Sequence, residues 1–182
     1  MTIQELIKLI EQWAIDRGLD KNGTVEGQLI KTAEEVAELI IAISKNNVKD
    51  IQDAVGDVFV TLVVLNLIRY NINFNKLVSD IRRVDKAIPM DYTTNKYDHV
   101  EYLVYSLNDL LRPSSRIDNK VSFGDVDKFE FYLTQMIMSL IFISTDYELK
   151  LNRCVLHAYT QIADRKGRVI DGTFVKESDL HE

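Results

Sequence analysis

Apolar residues in this chain recur mostly at intervals of three and four, and only two prolines and seven glycines interrupt 182 residues. That spacing is the period of one face of an amphipathic helix, whereas a half-buried strand alternates at two. The fold class it predicts is all-α, a helix bundle. Ile3, Leu6, Ile7, Ile10, Trp13 and Ala14 make a first stripe, punctuated by Gly18 and Gly23. Leu29, Ala33, Val36, Ala37, Ile40, Ile41 and Ile43 define a second helix that stops at Ser44, Lys45, Asn46 and Asn47. A third, over 48–67, is apolar around most of its circumference and is therefore expected at the centre. A fourth, over 74–87, ends before Ile88 and Pro89, because proline disfavours helical geometry in the residue before it. After a linker at 90–95, helices are expected over 99–111, 127–143 and 148–163. The first of these stops at Arg112, Pro113, Ser114 and Ser115, and a polar loop with Gly124 follows it. The tail from Arg165 to Lys176 holds Gly167 and Gly172 close together and should leave the helix.

The bulk numbers narrow the classes of function. With 46% hydrophobic and 27% charged residues the chain is an ordinary globular protein, long enough for one good core or two small ones. A net charge of -6 argues against a nucleic-acid binder, which gains affinity by replacing counterions with Lys and Arg. Nucleotide binding stays open, since a metal ion can screen phosphates. The single cysteine, Cys154, excludes an intrachain disulfide and reads as a small buried residue, which fits a reducing cytoplasm. The N-terminus carries acid early and lacks the basic-then-apolar order of an export signal. The stretch 55–68 is broken by Gly56, Asp57, Thr61 and Asn66, short of the roughly 20 apolar residues that span a bilayer, so a buried helix and no membrane are expected.

A weak internal echo links the two halves. Residues 56–65 match residues 134–143 in apolar pattern, with Thr61 and Ser139 at the same place and Gln135 standing where Asp57 does. The reading is a decayed duplication within a single all-α domain over 1–182. Its acid-bearing half is 1–89, and a degenerate half with a basic C-terminal tail covers 96–182.

Two acidic patches carry the chemistry, Glu34-Glu35-Val36-Ala37-Glu38 and Asp53-Ala54-Val55-Gly56-Asp57. Residues three and four apart share a helix face, so the carboxylates at 34, 35 and 38 gather on one helix and Asp53 and Asp57 on the next. Like charges there repel by roughly a few tenths of a kcal/mol when exposed and by far more when buried. Antiparallel packing across a short turn near 46–48 brings both sets to one level, an arrangement of oxygens that suits magnesium. A random acidic pair is more often a solvated surface, but Asp57 lies beside Gly56 inside an apolar run and is expected to be buried.

Gly23-Thr24-Val25-Glu26-Gly27-Gln28 runs into Lys31-Thr32-Ala33-Glu34-Glu35-Val36-Ala37-Glu38-Leu39. Asp53 to Val58, Ala158-Tyr159, Asp164-Arg165-Lys166-Gly167 and Gly172 to Lys176 follow in order. Together these motifs resemble the MazG-like nucleoside triphosphate pyrophosphohydrolases, over roughly residues 5–75 and 150–177, within the wider all-α NTP pyrophosphatase superfamily. The resemblance implies an enzyme that hydrolyses (deoxy)nucleoside triphosphates to the monophosphate and pyrophosphate. It implies magnesium, with Mn2+ as substitute, held by an E-x-x-E and an E-x-x-D pair. Carried over by position, Glu35 and Glu38 fill the first pair and Asp57 ends the second. Ala54 stands where the second glutamate would be, and Asp53, four residues before Asp57, is the substitute. It implies a homodimer or higher homo-oligomer as well, with fewer chains if the second half replaces a partner.

Within that frame Glu34 or Glu35 is the candidate base that takes a proton from the attacking water. Lys31 is placed to reach a phosphate, or equally to pair with Glu34 and Glu35. Arg165, Lys166, Arg168 and Lys176 supply a basic loop for the triphosphate. Trp13 is a candidate base-stacking residue, set against the commoner reading of a core tryptophan. His99, His157 and His181 show no ligand spacing with one another. The reading of a different class is a catalytically impaired helical module that keeps the fold and binds a nucleotide or a protein.

Overall fold

The computed structural model describes residues 1–87, 95–111 and 123–181. The stops at Ile88–Pro89 and Arg112 to Ser115 lie outside the described residues, as does most of the expected 90–95 linker. The expected loop around Gly124 falls partly outside them, and Gly124 itself belongs to a helix.

Among the described residues eight helices run α1 (Ile3–Asp16), α2 (Leu19–Asn22), α3 (Val25–Ser44), α4 (Val48–Arg69), α5 (Phe74–Ala87), α6 (Lys96–Leu111), α7 (Phe123–Asp146) and α8 (Leu151–Ile162). Polar side chains start them where the sequence changes from loop to stripe. The Thr2 hydroxyl accepts from the Glu5 amide while the Glu5 carboxylate accepts from the Thr2 amide, a reciprocal cap for α1. Thr24 and Asn47 cap α3 and α4 singly, their side-chain oxygens accepting from the Gly27 and Asp50 amides. The α3–α4 turn closes through Asn46, whose φ of 52° falls in the left-handed region that asparagine tolerates.

Helix α4 is central because apolar residues cover most of its circumference. Val55, Val58, Phe59, Leu62, Val63 and Leu65 are all fully buried. It is long and apolar enough to cross a membrane by composition, yet 72% of that stretch is covered by the rest of the fold. It packs along α3 on one side and α8 on another, and also meets α1, α2 and α7. Two of its polar residues are satisfied internally. The Thr61 hydroxyl donates to the Val58 carbonyl, and buried Asn66 both donates to and accepts from the backbone of Ile72, fixing the turn into α5.

The second half holds a further pair of helices. Helix α6 packs along α7, and this pair meets the first through α3 against α6 and α4 against α7. Ser139 bonds back to the Gln135 carbonyl much as Thr61 does on α4. His99 on α6 stacks on Phe142 of α7 at 4.9 Å and lies 3.7 Å from Asp146.

The fold is all-α, and the tail leaves the helix as its two glycines predict. Gly167–Ile170 (β1) and Thr173–Lys176 (β2) pair antiparallel, Ile170 opposite Thr173, and Glu177–His181 closes in a short 3-10 turn. The two-residue connection, Asp171 and Gly172, has φ of 49° and 82°, the left-handed pair of a type I′ turn that fits the twist of the strands. The turn docks on the start of α3, where the Thr24 amide donates to the Gly172 carbonyl at 2.9 Å. A Cβ at Gly172 would lie 2.3 Å from the Thr24 hydroxyl oxygen. Gly172→Ala should therefore strain the turn and push the hairpin off α3, destabilising the protein by about 1–3 kcal/mol in a denaturant titration.

Candidate active site

Helices α3 and α4 carry the acidic residues side by side. Glu35 is buried at 8% exposure, while Glu34 and Glu38 are on the exposed side of the same helix. Asp53 and Asp57 are partly buried on α4, so the expectation of a fully buried Asp57 is corrected to a half-buried one. Ala54, between them, is 5% exposed and belongs to the core, where it presents no oxygen.

These carboxylates share one electrostatic neighbourhood. Burial, followed by the negative charges of Glu35 and Asp53 and a smaller push from Glu38, raises the Asp57 carboxyl to about 7. Glu38 is raised in turn, by burial first and then by Glu35, Glu34 and Asp53, with Lys31 opposing. Lys31 answers part of this charge. Its ammonium lies 2.8 Å from Glu35 and 2.9 Å from Glu34, and although burial works against its charge, those two hydrogen bonds lift it above the ordinary lysine range. In this arrangement Lys31 is the partner of both glutamates.

Asp53 is met from the other side by α8. The Gln161 amide Nε2 donates to Asp53 Oδ1 at 2.5 Å and lies 3.2 Å from His157 Nε2, which is itself 3.5 Å from the same carboxylate oxygen. Neither His157 nor Gln161 was legible as a site residue, although their spacing of four on α8 places them on one face. Helix α8 comes close enough because Gly56 has no side chain. A Cβ there would sit 2.3 Å from the Cys154 carbonyl oxygen and 2.8 Å from the Ala158 Cβ. Cys154 is buried at this crossing, as expected, and burial pushes its thiol up to about 11.

The donor set is chemically right for a hard dication: four carboxylates on two adjacent helices, one of them raised to about 7 by burial and then by its neighbours' charge. Among the described residues no three His, Cys, Asp or Glu side chains are drawn up into a ready-made metal cage. Glu35 gives one oxygen to Lys31 and Asp53 one to Gln161.

The tail residues divide. Arg165 is partly buried, and its charge lowers the Asp57 carboxyl, so it faces the acidic group. Lys166 and Lys176 are exposed on the hairpin, where the Lys166 carbonyl accepts from the Glu177 amide and Lys176 lies opposite Gly167. The hairpin is pinned through Arg17, whose guanidinium donates to the carbonyls of Ala163 and Arg165 and covers the Trp13 ring at 4.7 Å. Trp13 is correspondingly a core residue. Its indole N–H donates to the Ile162 carbonyl at 2.8 Å, and Phe174 meets its ring edge-on at 5.4 Å. The expectation of a base-stacking Trp13 is corrected, because Arg17 and Phe174 already cover the ring.

Comparison with known proteins finds a family likeness over the acidic helices. Residues 24–88 match the MazG nucleotide pyrophosphohydrolase domain, which falls on the acid-bearing segment singled out above. Over 63 residues the chain is 48% identical to an "Uncharacterized 18.2 kDa protein in rep-hol intergenic region" of Haemophilus phage HP1 (strain HP1c1). The aligned stretch spans 35% of this chain and 39% of that relative's length. No solved structure matches the chain significantly.

Proposed function

We propose that this chain, whose residues 24–88 carry a MazG nucleotide pyrophosphohydrolase domain, hydrolyses (deoxy)nucleoside triphosphates to the monophosphate and pyrophosphate with magnesium as cofactor. The observation that carries the reading is the gathering of Glu35, Glu38, Asp53 and Asp57 on two packed helices, where burial and the neighbouring carboxylates raise the Asp57 carboxyl. Uncompensated carboxylates cost stability, and a bound dication removes that cost.

Glu35, Glu38, Asp53 and Asp57 would hold the metal. When bound, it supplies neutralisation of phosphoryl charge and acidifies a coordinated water. The chain's own groups then divide the remaining work. Glu35 is buried beside the other carboxylates while Glu34 is exposed, so of the two candidates Glu35 is assigned the proton of the attacking water. Lys31, bonded to Glu34 and Glu35 without substrate, exchanges them for a phosphate oxygen and so frees Glu35. Arg165 neutralises the triphosphate from the hairpin side. The α6–α7 pair packs against α3 and α4, and in this reading it stands in for a partner chain. Association of two chains belongs to the same proposal, and Ile30 and Ile41, 69% and 50% exposed on α3, offer it apolar surface.

A second reading, a nucleotide-binding module without catalysis, is favoured by Ala54, which leaves the E-x-x-D pair without its glutamate. Pyrophosphate release from a panel of ribo- and deoxynucleoside triphosphates separates the two. Release is expected with magnesium and should stop when a chelator is added in excess. Nucleotide binding with no release from any member of the panel favours the module.

A further inference from the structure

We propose that Gln161 and His157 are positioning residues that fix Asp53 as the fourth oxygen ligand of the magnesium site, an inference that rests on the hydrolase reading above. Asp53 needs such help for two reasons visible in the fold. It substitutes for a longer side chain at Ala54, and its own side chain is 42% exposed, so nothing in the core immobilises it.

The α8 pair supplies the restraint. The Gln161 amide nitrogen has two hydrogens, and it stands 2.5 Å from Asp53 Oδ1 and 3.2 Å from His157 Nε2. Both contacts are satisfied when one hydrogen goes to the carboxylate and the other to a neutral imidazole carrying its proton on Nδ1. With the amide turned over, its carbonyl would face a carboxylate. Asp53 and an accepting His157 thus call for the same nitrogen end of Gln161, so His157 reinforces that orientation, and at 3.5 Å its own approach to Asp53 is longer than an ordinary hydrogen bond. Oδ1 is thereby tied back to α8, and Oδ2 remains as the donor to the ion. Gly56 lets α8 close on α4 within one turn of Asp53, so the contact follows from the helix crossing and not from surface chance.

Partners that orient metal ligands typically contribute 10–100-fold to affinity. The test is isothermal titration of the full-length chain with Mn2+. Gln161→Met keeps the length of the side chain and removes the donor, and it should weaken Mn2+ about tenfold. His157→Ala should weaken it less, and the double variant should be no weaker than Gln161→Met alone, because the imidazole acts through the amide. The thermal transition should stay within about 2 °C of the parent, since the pair is solvent-exposed. Gln161→Met with parental Mn2+ affinity, beside a weakened Asp53→Ala, overturns the positioning role. So does an affinity loss that tracks a collapsed thermal transition. Asp53→Ala with parental affinity removes Asp53 from the ligand set and the proposal with it, leaving the hydrolase reading on the other three carboxylates. A parent chain that binds no Mn2+ overturns both.

Discussion

Asp57→Asn is expected to abolish pyrophosphate release while making the metal-free protein more stable above pH 7. Loss of a direct oxygen ligand should exceed the effect of losing a partner behind one, so the fall in kcat/KM is at least about hundredfold. The stability change has the opposite sign, and its pH dependence follows from the raised carboxyl. In the unfolded chain Asp57 titrates near 3.9, in the fold at about 7. Between those values the folded state holds a proton that the unfolded state has released, so stability declines as pH rises from about 4 to about 7. Below both values Asp57 contributes nothing to this decline, and above both the full cost is present. Allowing for partial exposure, that cost is about 1–3 kcal/mol, and Asp57→Asn removes it. At pH 8 without metal the variant should melt about 3–8 °C higher than the parent, and at pH 4 the difference should vanish. Magnesium should stabilise the parent at pH 8 and leave the variant nearly unmoved. A variant that melts lower than the parent at pH 8 would mean that Asp57 is compensated by something other than a metal.

Gly56→Ala is expected to be the most damaging single-methyl change in the chain's first half. The added Cβ meets the Cys154 carbonyl oxygen, which is backbone, and the Ala158 Cβ, which is one bond from it. Neither can swing aside, so α8 itself must move. Overpacking of this kind costs about 1–3 kcal/mol, partly offset by the roughly 1 kcal/mol that alanine gains over glycine in a helix. The expected net result is a melting temperature lower by about 2–6 °C in a thermal scan. Hydrolysis should fall as well, because displacement of α8 draws Gln161 away from Asp53. An unchanged melting temperature would show that the crossing of α4 and α8 is looser than its distances state.

Much of this was readable from residue order. The stripe of Ile3 to Ala14, the stop at Ser44 and the all-round apolar run from Val55 are local signals, and a core helix shows its whole circumference in composition alone. Glu35, Glu38, Asp53 and Asp57 were legible as a group because helical spacing and one short turn suffice to bring them together. Other features required the third dimension. Helix α2 is four residues long, too short for any period to register. The hairpin did have a local signal, Asp171-Gly172 between apolar pairs, but eight residues with a basic flank read as an irregular tail. The partnership of Gln161 with Asp53 crosses 108 positions, and only the contact at Gly56 explains it. Trp13 illustrates the reverse. Its type suggested a ligand, whereas its neighbours Ile162, Phe174 and Arg17 make it the peg that fastens α1 to the end of α8.

The most direct test of a shared ion between α3 and α4 is anomalous diffraction from crystals of the full-length chain soaked in Mn2+. A peak within coordination distance of Glu35, Glu38, Asp53 and Asp57 is the predicted result. Ordered carboxylates with no peak between them, or a peak bound by other residues alone, would contradict it.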